Sequence, residues 1–159
     1  MIRLANENDV EIILKIYQKA KQFLRENKNF VQWQGNYPSK ELVYNDIKYK
    51  QLYVIEQDSI HGVFFLIMGD DPTYKIIKDG SWMSNLPYLT IHRVASDGIM
   101  HGIMKQIIEF SFTKCNHIRV DTYYKNSIMR NILIKEGFSE RGIIFINDGS
   151  ERIAYEKII

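Results

Sequence analysis

Apolar and polar positions change their period several times along the 159 residues, and each change predicts an element. Ile2 to Ala5 reads as a short first strand, after which Asn8 can cap a helix through its side-chain oxygen. Val10, Ile13, Leu14, Tyr17, Ala20 and Leu24 then recur at spacings of three and four, one face of an amphipathic helix running to about Asn27. Residues Phe30 to Pro38, with Trp33, Gly35 and Pro38, read as a loop. Ser39 caps a second helix whose inner face is Leu42, Val43 and Ile47. The period then shortens. Gln51 to Glu56 and Ile60 to Met68 are β-rich runs joined at Gln57-Asp58-Ser59, a hairpin pattern.

Residues Gly69 to Pro87 hold Asp-Asp-Pro and Asp79-Gly80 and predict a long irregular excursion, of a length that usually carries function. Tyr88 to Ala95 reads as a strand, broken by Ser96-Asp97-Gly98. A helix with Ile103, Ile107, Ile108 and Phe112 inward follows and ends near Cys115. His117 to Thr122 is a strand and Ser127 to Glu136 a short helix stopped by Gly137. Phe138 to Ile146 and Arg152 to Ile158 form a closing hairpin across Asn147-Asp148-Gly149-Ser150. The order is β, α, α, β, β, β, α, β, α, β, β, an α+β pattern. With no repeat or linker, residues 1–159 are expected to form one domain.

Composition narrows the classes. Hydrophobic residues at 45% and charged residues at 25% are average for globular proteins and exclude a disordered or collagen-like chain. A net charge of +2 gives no reason to expect nucleic acid or an anionic membrane as principal partner. Cys115 stands alone, so neither an intrachain disulfide nor a cysteine-based zinc site is possible. No His-x-x-x-His or spaced carboxylate cluster suggests a metal. The first residues lack an apolar leader, and the longest apolar run, Val63 to Met68, is far too short for a membrane helix. The expectation is a soluble cytoplasmic protein, monomer or homodimer.

One stretch carries chemistry. A strand ending Ile91-His92-Arg93-Val94-Ala95-Ser96 passes through a glycine-bearing turn into a helix. Ile118-Arg119-Val120-Asp121-Thr122 follows, then Asn126 and a short helix closing on Gly137-Phe138. A glycine turn into a helix presents unpaired N–H groups that favour phosphate. Gly98 to Lys105 offers such a nest, with the His101 ring and the Lys105 ammonium near it.

This stretch, set in this order of elements, resembles the GNAT superfamily of N-acetyltransferases. The resemblance implies a mixed, mostly antiparallel sheet of six or seven strands flanked by about four helices. It further implies transfer of an acetyl group from acetyl-CoA to a small-molecule or peptide amine by direct attack in a ternary complex. Gly102 and its neighbours His101, Ile103, Met104 and Lys105 would then cradle the pyrophosphate of coenzyme A. Val94, Ala95 and Ser96 would pair with the pantetheine arm, Asn126 would hold that arm's region, and a strand N–H such as that of Val94 would polarise the thioester carbonyl. The family's loop is Gln/Arg-x-x-Gly-x-Gly/Ala. Here it reads Ile99-Met100-His101-Gly102-Ile103-Met104, with one glycine kept, Ile99 at the polar position and Met104 at the small one. A tyrosine in the last helix protonates the thiolate in many members, and that slot aligns with Leu133. Tyr123 and Tyr124 are the nearby phenols left to substitute, and water is the alternative.

For the base, His92 is the first choice because imidazole titrates near the working pH, with a histidine bonded between strands as the plainer reading. Glu56 and Glu109 are alternatives that read more simply as solvated charges. His61 and His117 read as surface groups, and Arg119 and Asp121 as structural, Asp121 fixing the loop before Asn126. Trp33, Tyr37, Trp82 and Tyr88 sit in or beside the irregular segments, where they wall an acceptor pocket or close the core beneath loops. Asp70 and Asp71 attract an amine or simply start a turn. The reading from another class is a non-catalytic acyl-CoA sensor or a degenerate scaffold, suggested by Ile99, Met104 and Leu133.

Overall fold

The structure is a computed structural model that describes all residues, Met1–Ile159. Its strands are β1 (Ile2–Leu4), β2 (Leu52–Gln57), β3 (Ser59–Met68), β4 (Leu89–Ser96), β5 (His117–Thr122), β6 (Ser139–Phe145) and β7 (Glu151–Ile158). Its helices are α1 (Val10–Glu26), α2 (Lys40–Lys48), α3 (Ile103–Phe112) and α4 (Ser127–Lys135). The strands lie in one seven-stranded sheet in the order β1-β2-β3-β4-β5-β7-β6. The β4–β5 pair is parallel, whereas β1–β2, β2–β3, β5–β7 and β6–β7 are antiparallel. The chain forms two compact units, Met1–Leu66 with Arg93–Ile107, and Ile67–His92 with Ile108–Ile159.

In the first unit the helix start differs from the prediction. Asn6, rather than Asn8, accepts from the Asn8 amide at 2.9 Å, and Asp9 returns a bond to the Asn6 N–H at 2.8 Å. This capping box places a 3-10 turn, Glu7–Asp9, ahead of α1. Two orphan donors satisfied reciprocally beat the single bond available to Asn8. Ser39 does cap α2, accepting from the Leu42 N–H at 3.2 Å. Along α1, Val10, Ile13, Ile16 and Tyr17 are buried, as the three–four spacing requires. On α2 the buried residues are Val43 and, unexpectedly, Asp46.

In the second unit, Gly137 ends α4 with φ +86°. The Gly137 N–H bonds the Ile134 carbonyl at 3.0 Å and the Phe138 N–H bonds that of Leu133 at 2.9 Å, so two orphan carbonyls are met. Helix α3 stops at Phe112, short of the predicted Cys115. The irregular excursion is firmly tied down. Lys78 and Ile143 exchange two backbone bonds of 2.8 Å, and a Cβ on Gly80 would stand 1.8 Å from the Arg141 carbonyl oxygen. Tyr74 and Tyr88 enter a core with Ile144 and Ala154, packed over by Ile77, Trp82 and Ile146. Each such ring buried contributes about 1.5–3 kcal/mol.

Candidate active site

Period two puts His117, Arg119 and Asp121 of β5 on one face, and in the second unit all three have partners. His117 is buried, not a surface group as its position after a helix suggested. Its Nε2 stands 2.5 Å from Glu156 Oε1. Arg119 Nε donates to the same oxygen at 3.2 Å, and its guanidinium lies 4.0 Å from the ring centroids of both Trp82 and Tyr88. Glu156 Oε2 accepts from the Met83 N–H at 2.6 Å, and Arg119 Nη2 donates to the Ser84 carbonyl at 2.6 Å. These charged partners fasten the far end of the excursion.

Its near end carries an aspartate into contact with His92. Asp71 begins a 3-10 turn, Pro72–Tyr74, and its Oδ1 accepts from the Thr73 N–H at 2.8 Å and hydroxyl at 2.6 Å. The Asp71 N–H in turn donates to the Tyr88 hydroxyl at 3.0 Å. That leaves Oδ2 for His92, whose Nε2 stands 2.8 Å away. A carboxylate only accepts, so Nε2 carries the proton. Burial pushes the Asp71 carboxyl up, but the His92 and Thr73 hydrogen bonds outweigh it and bring it down to about 2. His92 Nδ1 stands 3.7 Å from Asp121 Oδ2, beyond hydrogen-bond length but within ion-pair reach.

Asp121 is tied to the irregular excursion. Its Oδ2 accepts from the Tyr74 hydroxyl at 2.7 Å. Burial first, and then the Asp121 charge, raise the Tyr74 phenol well above its usual value, so it stays a donor. His92 thus has a carboxylate on each ring nitrogen, one bonded and one through space. The orientation follows triad logic, in which a base is held by an acid behind it.

The other predicted residues divide between the units. In the second, Tyr88 is buried at 5% and Trp82 Nε1 donates to the Tyr74 carbonyl at 2.8 Å. Both rings pack in the core around Tyr74. Tyr123 and Tyr124 stack edge-on at 4.7 Å, and the Arg152 guanidinium lies 5.5 Å from the Tyr123 ring. Burial and the Tyr124 hydroxyl raise the Tyr123 phenol, making it a weaker acid than usual. Asn126 Oδ1 accepts from the Met129 N–H at 3.2 Å and so caps α4. Leu133, in the tyrosine slot, is fully buried. Asp70 is exposed.

The parallel pairing of β4 with β5 covers Leu89, Thr90 and Ile91 and stops at Ile91 opposite Val120. Past that point β4 enters the first unit, where Arg93 has φ +48°. Positive φ is uncommon outside glycine, and here it is held by contacts. Arg93 Nη2 bonds Asp46 Oδ2 at 2.5 Å and its guanidinium lies 4.1 Å from the Phe65 ring centroid. Val94, Ala95 and Ser96 follow. Asp97 Oδ1 accepts from the Ile99 N–H at 2.9 Å, and its Oδ2 stands 2.7 Å from His61 Nδ1. His61 is therefore no simple surface group but a latch on this loop.

Gly98 (φ +79°) and Gly102 (φ +71°) follow, each with no atom within 4 Å of where a Cβ would sit. His101, Gly102 and Lys105 are exposed, while the Ile103 and Met104 side chains are buried, so Met104 points into the core. Trp33 stacks edge-on against Tyr17 at 5.4 Å, and Glu56 pairs with Arg3 at 2.8 Å. No local pattern marks Asp71 as a partner of His92, or marks Tyr74 and Glu156 at all. Those pairings join positions 21 to 73 residues apart, and only the turn chemistry of Asp71-Pro72 was visible.

No protein-family model matches the chain, and no curated protein matches it. Solved structures do. A GNAT-family acetyltransferase from Streptococcus agalactiae 2603 is 30% identical, covering 100% of this chain and 95% of its own, with a TM-score of 0.90. The chain belongs to the GNAT family of acetyltransferases. Two structures of lower identity share the fold. A GNAT-family acetyltransferase from Listeria monocytogenes 4b F2365 is 18% identical over 100% of this chain and 94% of its own, with a TM-score of 0.72. A chain of the NatC complex, solved with Gag peptide and CoA, is 16% identical over 100% of this chain and 98% of its own, with a TM-score of 0.64.

Proposed function

We propose that the protein transfers an acetyl group from acetyl-CoA to a primary amine, with His92 as general base. The observation that carries this is the pair of carboxylates on His92, Asp71 at 2.8 Å and Asp121 at 3.7 Å. Asp71 fixes the ring with its proton on Nε2, which assigns proton uptake to Nδ1. Asp121 stabilises the imidazolium that results, and its charge also attracts an incoming ammonium.

The loop fits coenzyme A. Gly98 and Gly102 leave the backbone bare where a pyrophosphate would approach, and the exposed His101 and Lys105 supply cations at the start of α3. The N–H groups of Ile103 and Met104 belong to the same helix start, and their buried side chains leave it clear. Val94, Ala95 and Ser96 lie past the last β4–β5 pair and would take the pantetheine amides as an added strand. Asn126, held as a cap, would border the arm. Acetyl-CoA supplies the acetyl group as a thioester, whose C–S bond breaks as the C–N bond to the amine forms. His92 removes the amine proton, the Val94 N–H donates to the carbonyl oxygen as it gains charge, and Tyr123, Tyr124 or water returns a proton to the sulfur.

Calorimetric titration with acetyl-CoA and free coenzyme A, followed by an amine screen, tests this reading. One-to-one binding near micromolar, about −8 kcal/mol, with turnover on an amine is expected. Binding without turnover across a broad panel would favour an acyl-CoA sensor. No binding at millimolar ligand would leave only the degenerate scaffold.

A further inference from the structure

Both carboxylates beside His92 are supported from one short segment of the second unit. Asp71, at the start of the 3-10 turn, meets Nε2, and Tyr74, at its end, donates its hydroxyl to Asp121 Oδ2 at 2.7 Å. The oxygen that accepts from Tyr74 is the same one that stands 3.7 Å from His92 Nδ1. One phenol therefore sets where the second carboxylate lies.

The phenol itself is held rigidly. Tyr74 is 2% exposed, and its ring centroid lies 5.2 Å from that of Trp82, 6.2 Å from that of Tyr88 and 6.0 Å from that of His92. Trp82 Nε1 bonds the Tyr74 carbonyl at 2.8 Å, so backbone and ring are fixed together. Asp121 is a short side chain that turns about two bonds, and the Tyr74 hydroxyl tethers it. At 3.7 Å its oxygen is about 1 Å beyond a charge-assisted hydrogen bond to Nδ1. Closing that gap would give His92 a bonded carboxylate on each nitrogen. A ring bonded that way keeps both protons and accepts none.

We infer that Tyr74 is a positioning residue for the transfer. Its hydroxyl pins Asp121 Oδ2 away from Nδ1, near enough to steady the imidazolium and too far to lock it. The role in transfer rests on the acetyltransferase reading with His92 as base; the pinning is a property of the protein alone.

Two measurements keep these apart. The NMR resonances of the His92 ring nitrogens, recorded at neutral pH with neither acetyl-CoA nor amine present, report which of them carry protons. Tyr74→Phe keeps the ring and removes only the hydroxyl, and it is expected to move these resonances toward the imidazolium pattern. Asp121→Asn added to it is expected to move them back. Resonances unchanged in Tyr74→Phe would overturn the inference whether or not the protein acetylates anything. In steady-state kinetics, Tyr74→Phe is expected to lower kcat about 10-fold, while KM for the amine changes less than about twofold. The same substitution made in Asp121→Asn is expected to cost less than about twofold, because the charge it restrains is gone. A hydroxyl that only supports packing would cost the same in either background, and equal losses would overturn the positioning role. Displaced resonances in a protein that acetylates no amine would leave the pinning standing and remove its role in transfer together with the acetyltransferase reading.

Discussion

Two histidines, His61 in the first unit and His92 in the second, each lean on an aspartate, and they differ in what faces the other nitrogen. His61 Nδ1 stands 2.7 Å from Asp97, and its Nε2 lies 3.1 Å from the Gln57 carbonyl and 3.2 Å from Ser59 Oγ. Ser59, His61 and Asp97 thus have the residue types of a nucleophilic triad. The backbone carbonyl, however, only accepts, and it claims Nε2 as a donor. A ring committed that way cannot take a proton from serine. His92 has a second carboxylate, Asp121, at 3.7 Å instead. A charge at that distance steadies an imidazolium through space. An aspartate behind a histidine is therefore a poor sign of catalysis by itself. The group on the other nitrogen decides.

The sharpest way to break this comparison is to remove each imidazole. His92→Gln is expected to lower kcat about 10²–10⁴-fold, with affinity for acetyl-CoA unchanged. His61→Gln is expected to leave kcat within about threefold. Steady-state kinetics on both variants checks this, and equal losses would erase the distinction. Asp71→Asn comes next, at about 10²-fold in kcat. The amide can donate to Nε2, which moves the ring proton to Nδ1, the nitrogen assigned to proton uptake. The carboxamide keeps the shape, so a fold change measured by circular dichroism should be absent.

The same comparison marks what the sequence could and could not show. The order of elements was legible because period changes, Gly137 and the Asp148-Gly149 turn are local signals. His92 was legible as a histidine on a strand. Its partners were not. Asp71 lies 21 residues away in an irregular segment, and Tyr74 and Asp121 are joined across 47. The burial of His117 was missed for a similar reason: its partner Glu156 sits on another strand and looks like a solvated charge when read alone. Local patterns report caps and turns. They do not report which side chains a sheet brings together.

Acidification sharpens the role of Asp71 at smaller amplitude. Its carboxyl lies at about 2 in the folded protein against an ordinary 3.8, so folding favours the charged form. That contribution is complete above about pH 4 and is lost as pH falls toward 2; it amounts to about 2 kcal/mol. Thermal melts of the protein and of Asp71→Asn are expected to differ at pH 6 and to converge by pH 2. A gap that stays constant across this window would mean that the His92–Asp71 pair contributes no pH-dependent stability.

The smallest effect belongs to the latch. Asp97 holds the Gly98–Gly102 loop at three points, its own N–H to the His61 carbonyl at 3.0 Å, Oδ2 to the His61 ring at 2.7 Å, and Oδ1 to the Ile99 N–H at 2.9 Å. Burial raises its carboxyl, but the Ile99 and His61 bonds prevail and hold it below the usual carboxylate range. Asp97→Asn keeps an oxygen for Ile99 and turns an NH₂ toward His61, so one contact in three is weakened. Affinity for coenzyme A should fall about threefold, equivalent to less than about 1 kcal/mol, while kcat changes less than about twofold. A kcat loss matching that of Asp71→Asn would mean that His61 also handles protons. An unchanged affinity would mean that the order of the loop, although built by Asp97, is not what coenzyme A binds.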